Sequence, residues 1–208
     1  MTKVLVVTWE SGGGLPTLGV ARRLSQRGHD VRVLSNPTLD RRYGRQGWRF
    51  IPFRETPDYD AAAVVEPATE FALKGRNLWF SPAVGRDLEG ELARESADVL
   101  LVDCMLWAGL SAAVETGIPT VALFHQSYSA YTLRAGQMLI GPLNAARNAM
   151  GLQAVDSLAD LYGRCAVCSV AVPRALEDAA LEPQANLQWV GPILDGSDAN
   201  DALPPEIE

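Results

Sequence analysis

Apolar residues along this chain recur with two different periods. The short, nearly continuous runs Val4-Leu5-Val6-Val7, Val99-Leu100-Leu101-Val102 and Val121-Ala122-Leu123-Phe124 are bounded by polar or turn-forming residues and predict buried strands. After the first run, Leu15, Leu18, Val20, Ala21 and Leu24 recur at near-helical spacing as far as Gly28. This predicts a helix entered through the glycine-rich turn Trp9-Glu10-Ser11-Gly12-Gly13-Gly14. A second strand is expected over 29–35, a short helix or turn over 37–43, and a third strand over 48–53. Residues 55–81 read as a long excursion with a helical piece near 61–73, and 83–95 as a charged amphipathic helix. Then come a fourth strand over 98–103, a helix over 107–115 closed by Gly117, and a fifth strand over 119–124. Residues 125–142 read as irregular, 144–162 as one long helix, 166–173 as a sixth strand and 187–192 as a last strand.

Strands that alternate with helices imply an α/β fold with a parallel sheet and right-handed crossovers. In such open sheets ligands bind at the carboxyl edge of the strands. Residues just after predicted strands are therefore the first to examine for chemistry.

Composition narrows the function classes. The 208 residues are 48% hydrophobic, enough for a sizeable core, and the net charge is −7 with no basic stripe, which disfavours nucleic acid as a partner. Cys104, Cys165 and Cys168 do not suggest a disulfide scaffold, and a reducing, cytoplasmic setting is expected. The start runs straight into a strand without a signal-like segment, and no apolar run is long enough to span a bilayer. Residues 197–208 are acidic, carry prolines and lack apolar periodicity, as in a linker or tail.

The glycines of loop 1 invite a dinucleotide reading, but the Gly-x-Gly-x-x-Gly fingerprint is not met. Strand 2 also ends at Leu34-Ser35-Asn36, without the carboxylate that would hold a ribose. Close approach of a ligand and a simple tight turn remain equal alternatives there. Asp103 ends an apolar strand, where a carboxylate is costly unless solvated or partnered. It is either an N-cap for the next helix or a group that orients a base or touches substrate. His125 directly follows strand 5 and is the imidazole at the ligand edge, whereas His29 lies at the opposite edge; His125 is either a satisfied structural histidine or a base or hydrogen-bonding group. Cys165-Ala166-Val167-Cys168 has no second pair, opens a strand rather than a helix, and would place its sulfurs on opposite faces. Core packing is expected, and no metal site. Trp9, Trp79, Phe80, Trp107 and Phe124 gather at predicted loop edges, either as core or as a pocket for a bulky apolar ligand.

In combination these segments resemble the N-terminal half of a two-domain glycosyltransferase, the family 1 nucleotide-sugar type of GT-B architecture, as in bacterial enzymes that glycosylate natural products. The resemblance rests on the opening strand and glycine loop with Pro16-Thr17-Leu18 and Arg27-Gly28-His29-Asp30-Val31. It also rests on Gly47-Trp48-Arg49-Phe50, on Asp98 to Asp103 with Gly117-Ile118-Pro119, and on Trp189-Val190-Gly191-Pro192. It implies a Rossmann-like fold: an open, mostly parallel sheet of about six to seven strands with helices on both faces. Residues 1–193 would be the acceptor-binding domain and 194–208 an acidic interdomain linker. The C-terminal donor-binding domain would be absent from this chain and supplied in cis or as a separate subunit. No cofactor is then expected on this half, and the nucleotide sugar would sit on the other. The partner would be a small-molecule aglycone, held by Trp9, Ser11, Gly12, Gly13, Trp79, Phe80, Met105, Trp107, Phe124 and Tyr128.

The same resemblance places the family's base, a loop-1 histidine, at Gly13, and its carboxylate partner at Asp103. A glycine cannot accept a proton, so Asp103 with Glu10 or His125 is left to act as base. A non-catalytic binding protein that has lost the chemistry is the alternative, and a dinucleotide-binding oxidoreductase fragment a more distant one.

Overall fold

The computed structural model describes residues 1–9, 14–57 and 66–193. Seven strands form one parallel sheet: β1 (Lys3–Val7), β2 (Asp30–Ser35), β3 (Arg49–Pro52), β4 (Val99–Asp103), β5 (Thr120–Phe124), β6 (Val167–Val170) and β7 (Leu187–Trp189). Their spatial order is β3-β2-β1-β4-β5-β6-β7, with every pair parallel. The chain reverses direction of progress at β1–β4, the switch point where Rossmann-like sheets open a crevice. The expected fold class is therefore what the chain adopts.

Alternation within strands separates two cores. Val4 and Val6 of β1, Val31 and Val33 of β2, Leu101 of β4 and Leu123 of β5 pack with Leu18 and Ala21 of α1 (Gly14–Gln26). Leu5, Val7, Leu34, Leu100, Val102, Ala122 and Phe124 face the other way. There they meet Val84 and Leu88 of α4 (Pro82–Arg94) and Leu110 and Ala113 of α5 (Trp107–Glu115). Two covered faces explain why the strands read as continuous apolar runs rather than alternating ones. Gly28 and Gly117, with φ of 81° and 75°, turn the chain from α1 into β2 and from α5 towards β5. The short helix or turn expected over 37–43 is a 3-10 turn, Pro37–Leu39, followed by α2 (Asp40–Gly44).

Three expectations change. The helix of the long excursion is α3 (Pro67–Lys74), continued by a π-helical turn, Gly75–Trp79, later than the predicted 61–73; residues 58–65 lie outside the described part. Residues 125–142 are not irregular. After a π-helical turn, Ala130–Arg134, they enter α6 (Gly136–Ala149), which runs through Pro142. Leu139 and Leu143, one helical turn apart and both buried, provide the packing that offsets the lost hydrogen bond. The predicted helix over 144–162 is in fact broken. Gly151 has φ of 74°, the Asn144 side chain bonds both the N–H and the C=O of Val155 at 2.9 Å, and α7 (Leu158–Gly163) starts at a Ser157 cap that accepts from the Asp160 N–H.

The cysteine pair is also arranged differently from expectation. Cys165 precedes β6 in the turn after α7, so strand alternation does not govern it, and both sulfurs are buried in one apolar cluster as free thiols.

Candidate functional site

The site forms where β4 and β5 end side by side. Asp103 is in register with Leu123. A period of two therefore puts Leu101, Asp103, Leu123 and His125 towards the face that α1 covers. The structure brings the two ionisable side chains together: His125 Nδ1 lies 3.6 Å from Asp103 Oδ2, with the side chains 7% and 1% exposed. That separation exceeds a normal hydrogen bond, and neither atom has a hydrogen-bond partner among the described residues.

Asp103 is not the helix cap. The cap of α5 is Leu106, and Asp103 Oδ1 instead accepts from the Met105 N–H at 2.9 Å while the Asp103 carbonyl accepts from Leu106 N–H at 3.1 Å. This closed turn fixes one carboxylate oxygen and leaves the other facing the imidazole. Burial pushes the Asp103 carboxyl above its ordinary range; the charge of His125, the Met105 N–H and the nearby Trp9 indole offset part of that. A carboxylate in this setting stabilises an imidazolium strongly, because little water screens the pair.

Cys104, the next residue, is fully buried and belongs to the same group. The Asp103 carboxylate, the Cys104 sulfur and a His125 ring nitrogen lie within 4.8 Å of one another. Burial, and then the Asp103 charge, hold this thiol well above its usual pKa.

Aromatic rings pack together in the same buried cluster as Cys104. Trp79 stands edge-on to both Trp9 and Trp107 at 5.9 Å, Phe80 stacks on Trp107 at 4.9 Å, and Tyr131 meets Trp107 at 5.9 Å. Trp107 is locked by its Nε1–H, which donates to Tyr162 Oη at 2.7 Å; that hydroxyl donates in turn to the Cys104 carbonyl. Trp9, Trp79, Trp107, Phe124 and Tyr128 are buried, while Phe80 and Met105 remain half-exposed. Tyr128 packs against Phe124 and Tyr162, and its hydroxyl donates to Gln184, away from Asp103. Glu10, Ser11, Gly12 and Gly13 lie outside the described residues.

Several participants were not legible from spacing. Lys74 of α3 sits over the Trp9 ring, 5.5 Å from its centroid. Glu177 holds the loop that carries His125: its carboxylate accepts from the N–H groups of Tyr128 and Ser129, from the Ser129 hydroxyl and from the Trp189 indole. Tyr131 and Tyr162 join through the chain reversals after β5. Only the presence of Cys104 beside Asp103 was visible beforehand, without a sign that it would share the site.

A parallel sheet in the order found is the Rossmann-like fold of one half of a GT-B glycosyltransferase. Solved structures bear this out at the level of fold. The glycotransferase of kitacinnamycin aligns with 93% of this chain at a TM-score of 0.70 and 19% identity. The spinosyn forosaminyltransferase aligns with 90% at 0.65 and 16% identity, and CalG4, the calicheamicin glycosyltransferase, with 92% at 0.59 and 19% identity. The chain spans about half the length of these structures, 52%, 49% and 53% respectively. The family model of Glycosyltransferase Family 4 matches residues 12–178, and the chain belongs to that family. No curated protein matches it significantly. Among the described residues no helix is long and apolar enough to cross a membrane.

Proposed function

We propose that this chain is the acceptor-binding half of an enzyme that moves a sugar from a nucleotide sugar to a hydroxyl of a large, partly apolar small molecule. The observation that carries the reading is the His125 imidazole set against a buried Asp103 at the carboxyl edge of the sheet. With Nδ1 facing the carboxylate, Nε2 is the nitrogen free to take the acceptor's proton. Asp103 then stabilises the imidazolium as the acceptor oxygen attacks the anomeric carbon and the nucleotide leaves. Phe80 and Met105 offer an apolar surface for the aglycone beside this pair. The matched neighbours are named for kitacinnamycin, spinosyn and calicheamicin, and we extend the natural-product class of acceptor to this chain. The donor-binding half is the partner, in cis or as another subunit, and no cofactor is assigned to this half. Buried free thiols suit a reducing cytoplasm.

The test couples the chain to a donor-binding half, whether encoded beyond Glu208 or supplied separately, and follows sugar transfer. His125→Ala and Asp103→Asn are each expected to lower kcat by about 10²–10⁴ with little change in acceptor KM. Unchanged kcat in both variants would remove this pair from the mechanism, and no transfer by the unmodified assembly would favour the reading in which the fold binds a ligand and the chemistry is lost. The 208-residue chain alone is expected to transfer no sugar; turnover by the purified chain would overturn the assignment of the donor site to another half.

A further inference from the structure

The group Asp103, Cys104 and His125 has a second use. We propose that these three side chains form a binding site for a thiophilic divalent cation, with zinc the best match. The 3.6 Å between His125 Nδ1 and Asp103 Oδ2 is too long for a hydrogen bond, and both atoms lack partners among the described residues. It is close to the separation that two ligands take when they share one ion. Nitrogen and oxygen ligands about 2.0–2.1 Å from a tetrahedral zinc stand about 3.3 Å apart, and a thiolate about 3.6 Å from either. With all three ligand atoms already within 4.8 Å of one another, inward movement of about 1 Å completes the bite.

Charge favours the same conclusion. A divalent cation with one carboxylate, one thiolate and a neutral imidazole makes a site of zero net charge, the form least penalised in a place as buried as this. Binding replaces the thiol proton with the metal: the S–H bond is lost, the proton passes to solvent, and the S–metal bond forms. No oxidant or reductant is required. Protein ligands number three, which leaves a fourth position for water or for a group on an incoming molecule.

The consequence for catalysis rests on the transferase reading. An imidazole bound to metal through Nδ1 carries its single proton on Nε2 and has no lone pair left to accept another. The ion therefore silences the proposed base, and the site becomes an inhibitory one. The ion-binding test itself needs no sugar transfer, so failure of either reading leaves the other standing.

The purified 208-residue chain, stripped with a chelator, is titrated with cobalt(II). One cobalt per chain is expected, with thiolate-to-cobalt absorption in the near ultraviolet, intense visible bands of a four-coordinate ion, and displacement by zinc. Cys104→Ser should abolish the thiolate band, and His125→Ala should weaken binding by about 10-fold or more, since loss even of outer partners of metal ligands costs that much. His125 lies on a loop at the sheet edge, so its variant keeps the test decisive where Cys104→Ser does not fold; circular dichroism checks both. A Cys165→Ser/Cys168→Ser variant should retain the full spectrum. Absence of the cobalt spectrum from folded protein overturns the inference. So does a spectrum unchanged by His125→Ala or Cys104→Ser, or one lost with Cys165 and Cys168.

Discussion

Asp103 illustrates how a single residue can be held against its own preference. Its strand neighbours are apolar, its side chain is 1% exposed, and one oxygen has no hydrogen-bond partner among the described residues. Such a charge opposes folding unless something else requires it. Asp103→Asn keeps the acceptor for the Met105 N–H and removes the buried charge. It is therefore expected to leave stability to denaturant at neutral pH equal or higher, while transfer by the assembled enzyme falls. A loss of more than about 1 kcal/mol on chemical denaturation would instead assign Asp103 a structural role. Tyr162 is the opposite case. Its hydroxyl satisfies both the Trp107 indole and the Cys104 carbonyl, and Tyr162→Phe leaves both buried and unpaired. Chemical denaturation should show a loss of about 1–3 kcal/mol. Asp103 and His125 were readable as single candidates because each follows a strand. Their meeting was not, since sequence separates them by a whole βα unit.

At the scale of elements, the loop after β5 is the part on which the site depends. Glu177 fastens it with three hydrogen bonds and, through a fourth, ties it to Trp189 at the end of β7. Burial opposes the Glu177 charge most, but the Ser129 hydroxyl and N–H, the Tyr128 N–H and the Trp189 indole together outweigh it, so the carboxyl lies below its ordinary range. The sign follows from the depressed folded value. This stabilisation is present in full above the unfolded carboxyl pKa of about 4.3 and is lost as pH falls through the folded value. Glu177→Gln is expected to cost about 1–3 kcal/mol at neutral pH and to flatten the acid side of a stability–pH curve, measured by denaturant midpoints from neutral to acid pH. In α6, Pro142 is exposed and inside the helix, where it removes a hydrogen bond without filling the core. Pro142→Ala is expected to stabilise the chain by about 1–2 kcal/mol, after allowing for the freedom regained by the unfolded chain, and to raise the thermal midpoint. A lowered midpoint would mean that the kink is needed for the packing of Leu139 and Leu143.

At the scale of the molecule, the seven-stranded sheet presents its carboxyl edge with Asp103, Cys104 and His125 near its centre, at the junction of β4 and β5. On the proposed transferase reading, this is where a second half would close over an acceptor. The more distant oxidoreductase reading is tested separately at this scale. Calorimetric titration with NAD(P) should show no tight binding, whereas an apolar hydroxylated acceptor should perturb the tryptophan fluorescence of the cluster around Trp107. Tight NAD(P) binding would count against the transferase reading.

The strand pattern by itself determined a good deal. Apolar runs bounded by polar or turn-forming residues marked all seven strands and the helices α1, α4 and α5 to within a few residues, because doubly covered parallel strands and amphipathic helices write their burial into local periodicity. Position at a strand end was enough to pick out Asp103 and His125. Helix α6 and the break before α7 were decided by tertiary structure, since Pro142 and Gly151 are outweighed or used only once Leu139, Leu143 and Asn144 have partners. Tertiary structure also decided the Cys104 grouping, the Glu177 clamp and the 3.6 Å approach of His125 to Asp103. These contacts join segments far apart in the chain, and no local period records which strand ends will become neighbours.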